Sequence, residues 1–135
     1  MTDVFSHEKR SSIMRTVHSK NTSPELFVRS LIHHLGFRYR LYRDDLPGKP
    51  DLVFPGKNKV IFIHGCFWHG HACKRGRRTP KSNQDYWIAK IEGNRKRDKD
   101  NAKSLKKLGW EVLTIWECEI KDINMLMLKI VVFLD

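Results

Sequence analysis

Three histidines, two cysteines and two aromatics crowd into one ten-residue run, His64-Gly65-Cys66-Phe67-Trp68-His69-Gly70-His71-Ala72-Cys73. A soft divalent metal takes thiolate and imidazole ligands, and Cys66, His71 and Cys73 supply three of them at a suitable spacing. The only other cysteine, Cys118, closes a tetrahedral set. Four such ligands describe a structural Zn²⁺, with no open position for a reactant. That leaves His64 and His69, whose side-chain type changes charge near neutral pH and suits proton transfer. The simpler alternative is a metal-stapled loop with no chemistry beside it. An acid upstream, Asp51, tips the reading toward catalysis.

The elements that must position these residues can be read from pattern. Asp51 to Phe54 reads as a strand, Pro55-Gly56-Lys57-Asn58 as a turn, and Lys59 to His64 as a second strand with Val60 to Ile63 apolar on both faces. Such a hairpin brings Asp51 beside His64. Earlier, Ser23-Pro24-Glu25 supplies an N-cap, a proline at the first helical position and an acid in the first turn. That helix should reach Leu35 and stop at Gly36, and Phe37 to Tyr42 alternates like a half-buried strand. Residues 6–18 read as a short basic helix with Ile13, Met14 and Val17 as its apolar stripe, and core packing is the plain role for Met14. Lys74 to Lys81 reads as a loop. A helix should begin near Asn83 or Gln84, be interrupted at Gly93, and resume to Leu108, with Gly109 as its cap. Its Arg95 to Lys107 stretch fits either a solvated, salt-bridged face or a phosphate-facing one. Trp110 to Trp116 reads as another strand. Ile123, Leu126, Met127, Ile130, Val131 and Leu134 follow helical spacing. The order α-α-β-β-β-α-β-α predicts an α/β fold in one domain spanning residues 1–135, a mixed sheet flanked by helices.

Composition narrows the partners. The chain has 135 residues, 40% of them hydrophobic, which suits one globular core. A net charge of +11 calls for a polyanion, with nucleic acid ahead of an anionic membrane surface. Met1 to Arg10 has no apolar core of the signal-peptide kind, and Met125 to Leu134 is too short to span a bilayer. The expectation is a cytoplasmic protein with no membrane association. Three cysteines are an odd number, which argues for reduced thiols and metal rather than disulfides.

Pro50-Asp51 followed by an apolar strand resembles the nuclease signature P-D…(D/E)-x-K, with Phe62 at the second acid position and His64 at the lysine position. Together with Phe62 to Cys73, it resembles the very-short-patch repair endonucleases, which nick DNA at T:G mismatches. The resemblance extends over most of the chain. It takes in the basic Arg10 to Arg15 segment with Met14, Glu25, Leu46 to Asp51, Tyr86 to Ile91, Asn94, Arg97-Asp98, Leu108 to Trp110, and Trp116-Glu117-Cys118.

The resemblance implies a restriction-endonuclease-like fold and a catalytic Mg²⁺ held by Asp51 and the carbonyl of Ile63. It implies His69 as general base, His64 on the scissile phosphate, and Glu25 acting indirectly through water on the magnesium. Cys66, His71, Cys73 and Cys118 hold zinc. Phe67, Trp68 and Trp87 enter the duplex from one side and Met14 from the other, while Lys90 and Asn94 read the mismatched bases. The implied partners are double-stranded DNA with a T:G mismatch from 5-methylcytosine deamination, a cytosine-5 methyltransferase and a repair polymerase, with the enzyme acting as a monomer. Two other readings compete. A zinc-stapled DNA-binding module leaves Asp51, His64 and His69 without a purpose. A zinc hydrolase using His64, His69 and His71 leaves Cys66 and Cys73 without one.

Overall fold

In a computed structural model, the described residues are 23–41, 43–67, 69, 71, 73 and 82–135. The expected helix over 6–18, the loop over 74–81, Met14 and Trp68 lie outside them. Among the described residues the order is α1 (Pro24–His34), β1 (Arg40–Leu41), β2 (Leu52–Phe54), β3 (Lys59–His64), α2 (Gln84–Lys107), β4 (Glu111–Trp116) and α3 (Ile123–Leu134). The result is a mixed α/β architecture with one four-stranded sheet in the order β1-β2-β3-β4. By contacts the chain divides into two compact units. One comprises the described part of Met1–Tyr39 with Glu119–Asp135, and the other is Arg40–Cys118.

In the first unit, Ser23 caps α1, its side chain accepting from the amide of Leu26 at 3.3 Å. Phe27, Val28, Leu31 and Ile32 form the buried stripe of α1. The helix ends in a Schellman arrangement: Phe37 N–H donates to Ile32 O and Gly36 N–H to His33 O, with Gly36 at φ +98°. This explains why the strand expected over Phe37 to Tyr42 does not begin at Phe37; among the described residues, which leave out Tyr42, it comprises Arg40–Leu41. The amide of Phe37 is already committed to the helix, so alternation of side chains there does not become a ladder. Asp122 caps α3 by accepting from Met125 N–H at 3.2 Å. Leu126, Met127, Ile130 and Leu134 bury one face of that helix, at the predicted spacing.

In the second unit, β2 and β3 pair antiparallel, with Leu52 opposite Ile61 and Phe54 opposite Lys59. The turn between them is a short 3-10 helix, Pro55–Lys57, closed by Asn58 in the left-handed region. β3 then pairs parallel with β4 over six residues, from Lys59–Glu111 to His64–Trp116. Parallel neighbours need a crossover, and α2 lies in that connection. Leu46, Val53, Val60, Phe62 and Leu105 form the core, with Trp110 and Val112 packed on it.

α2 is one continuous helix of 24 residues, not two pieces broken at Gly93. Glycine retains its amide and costs a helix interior only about 1 kcal/mol, too little to stop so long a run. Leu105 is the one fully buried residue of α2. Its last turns are therefore what fixes this helix to the sheet. Leu105→Ala should destabilise the protein by about 2–5 kcal/mol. Gly93→Ala should stabilise it by about 0.5–1 kcal/mol, because an added methyl there meets nothing within 4 Å. Denaturant midpoints of the two variants check both signs.

Candidate active site and metal centre

β3 and β4 end side by side, at His64 and Trp116, so the residues after each strand share one edge of the sheet. From that edge two clusters form. In the first, Cys66, His71, Cys73 and Cys118 place one ligand atom each within 4.8 Å of all the others. A tetrahedral ion with bonds near 2.3 Å sets its sulfur ligands about 3.8 Å apart, so only a slight contraction is needed. Cys118 Sγ already lies 3.5 Å from His71 Nδ1. Burial and the neighbouring Cys73 and Cys118 thiols push the Cys66 thiol up to about 12. Crowded, buried thiols of this kind ionise readily only when a cation neutralises them, and the donor set fits a soft divalent ion. Cys66 N–H also donates to Glu117 Oε1 at 3.3 Å, tying the loop to the end of β4.

The second cluster is His64, His69 and Asp98. The His64 and His69 rings stack face to face, with centroids 3.8 Å apart and 5° between planes. His69 Nδ1 meets Asp98 Oδ2 at 2.6 Å. With the Nδ1 proton donated to that carboxylate, Nε2 of the neutral ring keeps its lone pair for a reactant. His64 is buried, and its Nδ1 has no hydrogen-bond partner, lying 3.9 Å from Asp98. Burial, then the adjacent His69, lowers the pKa of His64 to about 4, although Asp98 pulls the other way. At neutral pH His64 is therefore an uncharged hydrogen-bonding group.

The geometry separates His71 from the other two histidines. His71 belongs to the cysteine cluster and stacks on Trp116, with centroids 4.2 Å apart, while Trp116 meets His64 edge-on at 5.2 Å. A three-histidine metal site is thus not what these residues build.

Asp51 stands just before β2. Its Oδ2 accepts from Ile63 N–H at 2.6 Å, beyond the last backbone pair of the β2–β3 ladder. Within a strand a residue's N–H and C=O point to the same side, so the Ile63 carbonyl faces the same flank as Asp51. Asp51, Ile63, His64, His69 and Asp98 line one pocket of about 590 Å³, together with Lys49, Arg97 and Asn101. A carboxylate beside a backbone carbonyl is a hard-oxygen pair, the donor type that Mg²⁺ takes. Glu25 sits in the first turn of α1, in the other unit. Asp98 is the residue that pattern reading gave no role. It lies among the cations of α2, within the Arg97-Asp98 pair of the resemblance, and the three-dimensional approach of that helix to His69 shows what it does.

Three of the residues expected to meet DNA, Trp87, Lys90 and Asn94, fall on α2 as well. Trp87, Asn94, Asp98 and Asn101 recur at helical spacing, with Lys90 one turn beyond Trp87, so a single stripe runs from the aromatic end to the pocket. Phe67 meets Trp87 edge-on at 5.8 Å, joining the metal loop to the start of that stripe. Eight Lys or Arg against four Asp or Glu lie on α2. Among the described residues, the ion-pair contacts of this helix are those of Asp98 with the two histidines. A salt-bridged solvent face is therefore not what the charges form.

The depressed pKa of His64 has a signed consequence. The unfolded ring binds its proton near pH 6.5, the folded ring only near 4, so the unfolded chain takes up the proton first as pH falls. Stability should decline through that window, and His64→Gln should lose this part of the decline. Urea midpoints of the two proteins between pH 4 and 7 give the difference. A His64 ring that titrates near 6.5 by NMR would count against the assignment.

Comparison with known proteins agrees with this arrangement. The family described as DNA mismatch endonuclease Vsr matches residues 2–75. Over 135 residues, all of the chain and 98% of the relative, the sequence is 51% identical to type II nicking enzyme V.XorIIP of Xanthomonas oryzae. It is 48% identical over 122 residues to type II nicking enzyme V.NmeAIP of Neisseria meningitidis, covering 90% of this chain and 86% of that one. It is 38% identical over 121 residues to DNA mismatch endonuclease Vsr of Escherichia coli, covering 90% and 77% of the two chains. The chain belongs to the DNA mismatch endonuclease Vsr family.

Proposed function

We propose that this protein nicks double-stranded DNA on the 5′ side of the thymine in a T:G mismatch, using magnesium, and so begins repair of deaminated 5-methylcytosine. The observation that carries the reading is the meeting of Asp51, the Ile63 backbone, His64 and the His69–Asp98 pair in one pocket. A module that only bound DNA would have no use for that convergence. The relatives, nicking enzymes and a mismatch endonuclease, point the same way.

Asp51 and the Ile63 carbonyl would hold the magnesium ion. When bound, it supplies positive charge that polarises a phosphodiester and stabilises the displaced oxygen. The protein's own residues do the rest. His69 is oriented by Asp98 so that Nε2 can take a proton from the attacking water. His64, neutral, would donate a hydrogen bond to the phosphate through Nε2 rather than the buried Nδ1, without adding a full charge. Glu25 is assigned a supporting role through bound water. Cys66, His71, Cys73 and Cys118 would hold zinc, which fastens the loop that carries His69. The sheet and its helices are read as one restriction-endonuclease-like domain over the chain.

Mismatch recognition is assigned to the aromatic end of the α2 stripe. Phe67, Trp68 and Trp87, with Met14 opposite, would unstack a base step, which costs least where pairing is already poor. Lys90 and Asn94 would then reach base edges. From Trp87 to Asn101 the helix rises about 21 Å, the length of about six base pairs, so recognition and cutting fit on one helix. The protein is read as a monomer acting in the cytoplasm, after a cytosine-5 methyltransferase and before a repair polymerase. No helix among the described residues is long and apolar enough to cross a membrane.

The test is nicking of one labelled duplex carrying T:G against its T:A counterpart, in magnesium. The wild type should cut only the thymine strand of the former. Asp51→Asn should lose magnesium-supported nicking while still binding the mismatched duplex. His69→Ala should slow nicking by about 10²–10⁴-fold, with partial recovery at raised pH. Near wild-type cutting by Asp51→Asn would reassign the site.

Zinc is expected to hold the fold and take no part in the chemical step. Cys118→Ser should release the metal and sharply lower the melting temperature, because structural zinc binding is folding free energy. Metal analysis and thermal unfolding read this directly. A metal-free protein with unaltered melting and nicking would overturn it.

A further inference from the structure

We propose that Lys49 and Arg97 form a phosphate clamp on the rim of the pocket, gripping the backbone of the DNA strand that is to be cut. The proposal rests on the reading of that pocket as a phosphodiester-cleaving site, and adds a binding element to it. The pocket contains two acids, Asp51 and Asp98, and an anionic phosphodiester entering it is repelled by both. Lys49 and Arg97 line the same pocket and offset that repulsion. Neither side chain makes a hydrogen bond or ion pair with another described residue. Elsewhere among the described residues, Arg43, Lys59 and Lys129 are paired with Asp45, Glu111 and Glu119.

The backbone at Lys49 is unusual. Three described residues other than glycine have positive φ: Lys49 at 48°, Asn58 at 54° and Asn83 at 55°. Asparagine tolerates this region, whereas a lysine there must be held by its surroundings. The holding contacts are visible. Lys49 N–H donates to Leu46 O at 3.1 Å, and Leu46 is buried in the core. A methyl group placed on Gly48 would lie 2.9 Å from Asn101 Nδ2, so the turn rests directly against α2. Asn101 is four residues beyond Arg97 and shares its helix face. The contact that fixes the turn therefore also brings Lys49 and the Arg97 face of α2 to one opening. A bent loop pinned at both ends presents its lysine in one place, which suits a point charge on phosphate. The Arg97 guanidinium offers a fork of donors to the same type of oxygen.

The experiment measures binding of labelled T:G and T:A duplexes without divalent metal, across a salt series, for wild type, Lys49→Gln, Arg97→Gln, the double variant carrying both Gln substitutions, Lys49→Arg and Arg97→Lys. Each Gln variant should reduce the slope of log affinity against log salt by about 1, equally on both duplexes, since phosphate contacts carry no sequence information. The charge-conserving variants should keep the wild-type slope. A single neutral methylphosphonate 5′ of the mismatched thymine should reduce the wild-type slope by the same amount and leave the double Gln variant unaffected. Unchanged slopes in both Gln variants would overturn the clamp, as would a methylphosphonate effect that simply adds to theirs. Arg97 is on an exposed face of α2, so its variants decide the matter even if changes at the strained Lys49 turn impair folding. A wild type that binds duplex but never nicks defeats the nuclease reading while the slopes still judge the clamp. One that nicks with unchanged variant slopes defeats the clamp alone.

Discussion

The parallel pairing of β3 with β4 is the constraint on which the rest depends. Six residue pairs in register bring the two strands to a common end at His64 and Trp116. Everything with chemistry follows from that end. Leaving β3, the chain passes through Cys66, His69, His71 and Cys73. Leaving β4, it presents Glu117 and Cys118. Slip the register by one residue and every side chain changes face, and the cysteine from the second strand no longer meets the three from the first loop. The antiparallel β2–β3 pair adds the remaining part, because its turn is short enough to return Asp51 to the same end.

A parallel pair also demands a crossover, and here the crossover serves as more than a connector. α2 buries only Leu105 completely, so most of its surface is available to a partner. Its charges are neither neutralised along the helix nor spread at random. The acid that matters, Asp98, turns toward the histidines, and cations on either side remain for phosphate. Burial, then the stacked ring of His69, keeps His64 in its neutral form. The pocket is thereby prepared for an anion without being filled with fixed positive charge.

Much of this was legible from residue order, and the exceptions have physical causes. Pro55-Gly56 and the apolar run behind it announced the hairpin, and the hairpin alone was enough to bring Asp51 to the histidine loop. Cysteine count and spacing announced the quartet that the fold assembles. The break expected at Gly93 does not occur, because glycine's helix penalty is small beside the length of the helix around it. The strand expected from Phe37 is cut short because the end of α1 uses its amide, a local commitment that alternation of side chains does not show. Asp98 fell within the family resemblance but was given no role, since one acid among many cations looks like solvent-facing charge until the helix is placed over the sheet. The left-handed Lys49 was equally hidden: Pro47-Gly48 signalled a turn, but not which residue of it would be held against its preference.

Trp116 lies between the two clusters and touches both. Its ring stacks on His71 of the cysteine group and meets His64 and His69 by its edge, at centroid distances of 5.2 and 6.3 Å. An indole so placed is an optical gauge built into the molecule. Charge brought to His71 by a metal, or to His64 by a proton, changes the electric field across the ring and with it the colour and yield of its emission. One event acts on the face of the indole and the other across an edge-on contact, so their spectral shifts need not share a sign. Among the described tryptophans, Trp87, Trp110 and Trp116, it is Trp116 whose light would be coupled at once to an ion held through His71 and to the imidazoles lining the pocket.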